Sequence, residues 1–172
     1  MTLLFLRHGQ TDWNAQGLFQ GRTDIPLNET GREQARAQAE ALVSHEPPVD
    51  VIYASPLLRA SETAEIVQQA LGVPIDFDER LVERCFGDLE GTPIVRGQDE
   101  EGLARHGAES FSVLHERVKG FLDDIAVRRP GQCVLVVAHG NVGRMVQYCI
   151  HGGGADRIEN GALGRYEINW HS

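Results

Sequence analysis

The residue types that phosphoryl chemistry calls for occur in this sequence as Arg7, His8, Arg59, Glu83 and His139, with Asn14 a few residues beyond the first pair. Two imidazoles, two guanidiniums and a carboxylate, each placed where an apolar run ends, a helix begins or a loop intervenes, describe a site that binds an anion and moves protons beside it. A transition state for phosphoryl transfer asks mainly for charge neutralisation and in-line positioning. Histidine can serve as the nucleophile and carry the phosphoryl group as a covalent intermediate.

Such a set works only if the chain delivers its members to one place. Leu3-Leu4-Phe5-Leu6 stops on Arg7-His8-Gly9, and Val134-Leu135-Val136-Val137-Ala138 stops on His139-Gly140. Both read as parallel strands buried on both faces, whose carboxyl ends face the crevice where open α/β sheets bind ligands. Residues 49–54 read as a third strand running into Ser55-Pro56-Leu57-Leu58-Arg59. Ser55 is expected to cap the following helix, with Pro56 at its first position, so that the positive helix end and Arg59 favour the same anion.

The intervening elements follow from period and punctuation. Residues 10–26 are a long polar loop with room for a short helix. Thr30-Gly31-Arg32-Glu33 matches a capping box and is expected to open an Ala-rich helix ending near Ser44. A short strand is expected at 75–77, and residues 81–91 form a structured loop carrying Glu83, with Asp78, Glu79, Asp88 and Glu90 as rival carboxylates. Residues 91–108 read as a lid or surface connection. Phe111, Leu114, Val118, Phe121, Leu122 and Ile125 keep helical spacing to about Val127, and a second amphipathic helix carries Val142, Met145, Val146, Cys149 and Ile150. Residues 163–170 are expected to form the last strand.

At 172 residues the chain fits one domain, 1–172. Sixteen basic against 25 acidic residues give a net charge of −9, which argues against nucleic acid and anionic membranes as partners, so any anion must be bound by local clustering. Lys119 is the sole lysine, and arginine is the better bidentate partner for phosphate or carboxylate. Cys85, Cys133 and Cys149 have no metal or redox spacing, and no leader or membrane span is visible, so a cytoplasmic location is expected. His45, His106, His115, His151 and His171 read as surface or structural, and neither a metal nor another cofactor is expected.

Taken in order, Arg7-His8-Gly9-Gln10-Thr11-Asp12-Trp13-Asn14, Gln20-Gly21-Arg22-Thr23-Asp24-Ile25-Pro26-Leu27, Ser55-Pro56-Leu57-Leu58-Arg59-Ala60, Glu83 with Phe86-Gly87 and Glu90-Gly91, and Ala138-His139-Gly140-Asn141 resemble the motifs of the histidine phosphatase superfamily. That superfamily contains cofactor-dependent phosphoglycerate mutases and many small phosphatases. The resemblance implies a three-layer α/β/α sandwich with a mostly parallel central sheet. By motif match, His8 is the phosphorylated nucleophile, and Arg7, Arg59, His139 and Asn14 hold the phosphoryl oxygens. Glu83 matches the proton donor, a double duty that calls for burial or the bound anion to favour its protonated form.

Gln20, Gly21 and Asn141 join the implied substrate-binding set, while Arg22, Thr23 and Arg84 stand equally as substrate contacts or solvated surface. The mutases carry a longer insertion after the position of Gly91, with basic residues for a second phosphate; here the short connection offers Arg96 and Arg105. The phosphatase branch is therefore favoured, acting on a small phosphorylated metabolite, with a mutase as the alternative and a non-catalytic phosphate binder as the second. The oligomeric state stays open, a homodimer included.

Overall fold

In the computed structural model, which describes residues 1–95 and 97–168, five strands form one sheet in the order β3-β2-β4-β1-β5. The strands are β1 (Thr2–Arg7), β2 (Val51–Ala54), β3 (Ile75–Phe77), β4 (Cys133–Ala138) and β5 (Leu163–Glu167). β1, β2, β3 and β4 run parallel, and β5 pairs antiparallel with β1. The three central strands are the continuous apolar runs, and Leu3 to Leu6 are fully buried. The edge strands β3 and β5 are partly exposed.

Among the described residues six α-helices surround the sheet: α1 (Asp12–Gln16), α2 (Glu29–Val43), α3 (Leu58–Leu71), α4 (Glu100–Arg105), α5 (Phe111–Arg128) and α6 (Gly140–His151). Alternation along the strands sends Leu4, Leu6, Ile52, Leu135 and Val137 to one face, against Ala39 and Leu42 of α2 and Ala64 and Val67 of α3. Leu3, Phe5, Tyr53, Val134 and Val136 go to the other, against Val118, Phe121 and Ile125 of α5 and Val142 and Val146 of α6. This is the expected three-layer sandwich.

Two expected helix starts are corrected. Asn28, not Thr30, caps α2, its side chain accepting the Gly31 N–H at 2.9 Å, so the Thr30-Glu33 pattern already lies inside the helix. α3 begins at Leu58, and neither Ser55 nor Pro56 is its cap or first residue; Asp24 from the distant loop accepts the Leu58 N–H at 2.8 Å instead. A capping signal is local, and here a remote carboxylate outcompetes it.

Within the polar loop a capping box formed by Thr11 and Asn14 opens α1. The 91–108 connection is more than a surface loop, since it holds α4 and pairs with the first loop through Phe19 N–H to Thr92 O and Ile94 N–H to Gly17 O, both at 2.9 Å. The last strand ends at Glu167, and positions 169 and 170 of its expected span, like Arg96 and His171, lie outside the described residues.

Candidate active site at the strand ends

Register explains how distant residues meet. β1 and β4 are neighbours with Arg7 opposite Ala138, so the next residue on each strand, His8 and His139, emerges side by side. The ladder continues through the His8 N–H to the Ala138 carbonyl at 2.9 Å, and the two rings lie 5.1 Å apart, edge to face. β2 ends level with them, its Ser55 N–H bonding the Val137 carbonyl at 3.0 Å. Ser55 thereby reaches His139, with Oγ and Nε2 2.8 Å apart.

Gly9 lets the chain turn away directly behind His8. A Cβ at Gly9 would collide with the Gly31 carbonyl at the start of α2, and a Cβ at Gly31 would collide with the Gln10 carbonyl, so two glycines allow the backbones to touch. Neither could be replaced without moving the first strand end off α2.

The imidazoles are buried and held in defined states. His8 Nδ1 lies 2.7 Å from the Gly9 carbonyl, which can only accept, so Nδ1 carries the proton and Nε2 keeps its lone pair. Burial, together with the charges of Arg59 and Arg7, holds His8 well below the usual histidine pKa, against the Gly9 bond. Burial and the same cations, with His8, do so for His139. Both rings are neutral near pH 7.

The guanidiniums are oriented by backbone carbonyls rather than by carboxylates. Arg59, 1% exposed, donates to the Gly21 carbonyl at 2.6 Å and the Thr23 carbonyl at 3.0 Å. Burial lowers its pKa to about 10, partly opposed by Glu83, Asp24 and Glu90. Arg7 donates to the Ile158 carbonyl at 2.7 Å, and burial lowers it too. The loop that receives Arg59 is itself pinned by Glu90, which accepts from the Arg22, Thr23 and Phe86 N–H groups and the Thr23 hydroxyl. Gly21 has φ 54°, and a Cβ there would strike the Glu90 carboxylate.

Among the described residues, Arg7 Nε, Arg59 Nε and His139 Nδ1 are buried polar atoms with no hydrogen-bond partner. Leaving such a group unpaired costs about 1–3 kcal/mol each, so the fold maintains two guanidinium donors that an added acceptor satisfies, with an unpaired imidazole nitrogen beside them. α6 begins at Gly140, one residue past His139, and brings its positive end to the same place.

A cavity of about 440 Å³ opens here, lined by Arg7, His8, Asn14, Gln20, Gly21, Arg59, Glu83 and Asn141. Of the sequence-predicted set, His139 alone is not on its surface, being fully buried beside His8. Asn14 offers its amide NH2, because its Oδ1 accepts from the Thr11 N–H and from Asn160. Gln20 Oε1 accepts the Thr11 hydroxyl at 2.7 Å.

Glu83 is 7% exposed; its Oε1 accepts the Arg84 N–H at 2.8 Å and its Oε2 the Asn141 N–H at 3.2 Å. Asn141 therefore faces Glu83 as well as the cavity. The rival carboxylates lie elsewhere: Asp78 pairs with Arg80, Glu90 pins the loop, and Glu79 and Asp88 do not line the cavity. Arg84 lines it while paired with Glu100, whereas Arg22 and Thr23 do not line it. Arg105 pairs with exposed Glu101 away from the cavity.

Sequence reasoning missed Ser55 as the partner of His139 and Asn160, which donates to the His8 carbonyl at 3.1 Å. It missed Arg144 and Arg157 on the wall as well. Ser-Pro before a helix looks like a cap, and Asn160 sits in a polar segment with no period. Among the described residues no cluster of His, Cys, Asp or Glu could hold a metal ion, and no helix is long and apolar enough to cross a membrane.

Comparison with known proteins agrees with this geometry. The family model described as histidine phosphatase superfamily (branch 1) matches residues 3–171. The chain is 38% identical to the uncharacterized phosphatase PhoE of Bacillus subtilis, over 95% of this chain and 86% of that one. It is 35% identical to a 2,3-bisphosphoglycerate-dependent phosphoglycerate mutase of Parvibaculum lavamentivorans, over 81% and 74% respectively. Its structure superposes on that of Bacillus stearothermophilus YhfR with a TM-score of 0.86 at 30% identity, covering 98% of this chain and 92% of the other.

Proposed function

The chain belongs to the histidine phosphatase superfamily (branch 1), and on that premise we propose that it is a metal-independent phosphomonoesterase acting on a small phosphorylated metabolite through a phosphohistidine. The observation that carries this reading is the cluster of unpartnered buried groups, Arg7 Nε, Arg59 Nε and His139 Nδ1, around a neutral His8. Phosphate supplies the acceptors the guanidiniums lack, and His139 Nδ1 as well when the Ser55 hydroxyl donates to Nε2; a phosphoryl group seated there faces the His8 lone pair.

The reaction then runs in two displacements. His8 Nε2 attacks phosphorus and the bond from phosphorus to the ester oxygen breaks, while Glu83 gives its proton to the departing oxygen and an alcohol leaves. Water next attacks phosphorus, Glu83 takes its proton, the bond from phosphorus to nitrogen breaks, and inorganic phosphate is released with His8 neutral again. Arg7, Arg59 and the start of α6 neutralise the equatorial oxygens throughout, with neutral His139 adding a hydrogen bond, which is the work a metal does elsewhere. Asn14 and the Gln20-Gly21 turn complete the phosphate pocket.

Hydrolysis is favoured over a mutase because the described cation of the short connection, Arg105, is paired with Glu101 and lies off the cavity. The test is p-nitrophenyl phosphate hydrolysis in excess EDTA by the wild type and His8→Ala. Turnover that persists in EDTA and falls by about 10,000-fold in the variant is expected. No turnover of any phosphate ester by the wild type leaves a phosphate binder instead. Isomerisation of 3-phosphoglycerate with 2,3-bisphosphoglycerate, far faster than ester hydrolysis, makes it a mutase.

A further inference from the structure

Every described arginine forms an ion pair with an Asp or Glu carboxylate except Arg7, Arg59 and Arg144. In a chain of net charge −9 that exception is selective. Two of the three belong to the phosphate pocket. The third lines the same cavity from α6, exposed and three residues beyond Asn141, hence on the same helix face as the residue that holds Glu83. It thus stands on the side where a leaving group departs from Glu83.

The other wall cations are neutralised: Arg84 by Glu100 at 2.7 Å and Arg157 by Glu159 at 3.0 Å. Arg144 also borders an adjoining cleft of about 240 Å³ with Phe111, Met145 and Tyr148. One unneutralised guanidinium remains on the leaving-group side of the cavity.

We infer that Arg144 binds a carboxylate on the leaving half of the substrate, so that the site takes phosphomonoesters of small hydroxy acids; this rests on the phosphatase reading above. A lone guanidinium matches a single carboxylate and can grip it with two parallel hydrogen bonds. A second phosphate carries close to two negative charges, and the first one is met by two arginines, an imidazole and a helix end. The cavity of about 440 Å³ accommodates a phosphate with a leaving group of a few carbons.

The experiment compares kcat/KM for 3-phosphoglycerate and glycerol 3-phosphate, which differ by a carboxylate in place of a hydroxymethyl group. The wild type is expected to favour 3-phosphoglycerate by about 10-fold, the lower end for a charge-assisted pair in a partly solvated position. Arg144→Gln is expected to bring that ratio close to one by raising KM for 3-phosphoglycerate. Arg144→Lys, which keeps the charge and loses the fork, is expected to fall between, and it replaces Arg144→Gln if that variant does not fold.

A wild type indifferent to the carboxylate, or a variant that keeps the full ratio, overturns the inference. So does a preference for fructose 1,6-bisphosphate over fructose 6-phosphate that is absent from the carboxylate pair. In each of these outcomes esters are still hydrolysed, so the phosphatase reading stands; it fails separately, when the wild type hydrolyses nothing.

Discussion

At the floor of the cavity His8, and directly beneath it Ser55 and His139, are placed by a strand register among fully buried apolar side chains, whereas the outer wall over residues 91–108 rests on a six-residue helix and a small cluster of Phe19, Phe86, Leu89 and Leu103. Ile94 and Val95 on that wall are 53% and 61% exposed. The floor cannot shift by one residue without turning every core side chain to the wrong face, while the wall can change with little effect on the sheet. The proposed division of labour follows: the floor fixes the reaction, and the wall with Arg144 selects the alcohol. The contrast is breakable at several points.

After loss of the nucleophile itself, the largest effect belongs to Glu83, the proton donor beside the floor in the proposed mechanism. Glu83→Gln keeps hydrogen-bonding capacity toward Arg84 and Asn141 but has no proton to exchange. In kcat/KM, which reports the first displacement, hydrolysis of an alkyl phosphate is expected to fall by about 100- to 10,000-fold and that of p-nitrophenyl phosphate much less, because p-nitrophenolate leaves without help. In kcat both fall where the second displacement, with Glu83 as its base, becomes limiting. Steady-state kinetics on both esters decide it. Equal losses in kcat/KM on the two make Glu83 merely a cap for α6.

The fold and much of the floor were legible because continuous apolar runs announce buried parallel strands, and residues closing such runs must emerge at one sheet edge. Arg7, His8 and His139 were found in this way, from the ends of β1 and β4. The register itself was not visible, so Ser55 was read through its neighbour Pro56 as a cap rather than as the partner of His139. Asp24 capping α3 and Asn160 holding the His8 carbonyl are contacts across the fold between residues with no shared period. Arg144 occupies the polar side of an amphipathic helix, where nothing in the sequence distinguishes an ion-paired arginine from one aimed at a ligand. Periodicity reports which face is buried, not what stands opposite.

A second consequence of the buried floor appears in stability. His8 and His139 are depressed by burial and by nearby arginines, so below about pH 6.5 the unfolded chain takes up protons that the folded one refuses. The unfolded state binds more protons, and stability therefore falls as pH drops, by up to about 1.4 kcal/mol per pH unit for each histidine. Urea denaturation between pH 7.5 and about 5 should show this slope, with saturating phosphate reducing it by giving His139 an anion to pair with. The carboxylates Glu90 and Glu109, lowered by hydrogen bonds and arginine contacts that outweigh their burial, contribute only below about pH 4.5. A stability curve flat from pH 7.5 to 5 removes the buried, neutral imidazoles from the account.

The smallest effect is expected on the wall, and its smallness is the point. Ile94→Ser and Val95→Ser remove apolar surface that already meets solvent, so stability should change by no more than about 0.5 kcal/mol. Both side chains line the cavity, and an aromatic ester such as p-nitrophenyl phosphate gains from apolar contact there. Losing roughly one such contact raises its KM several-fold, whereas an ester of a polar alcohol, which makes no use of that contact, feels it less. Melting curves and KM for the two kinds of ester measure the two halves of the claim. A wall substitution that unfolds the protein, or one that lowers kcat as strongly as Glu83→Gln, would show that floor and wall form one unit and would dissolve the separation between reaction and specificity.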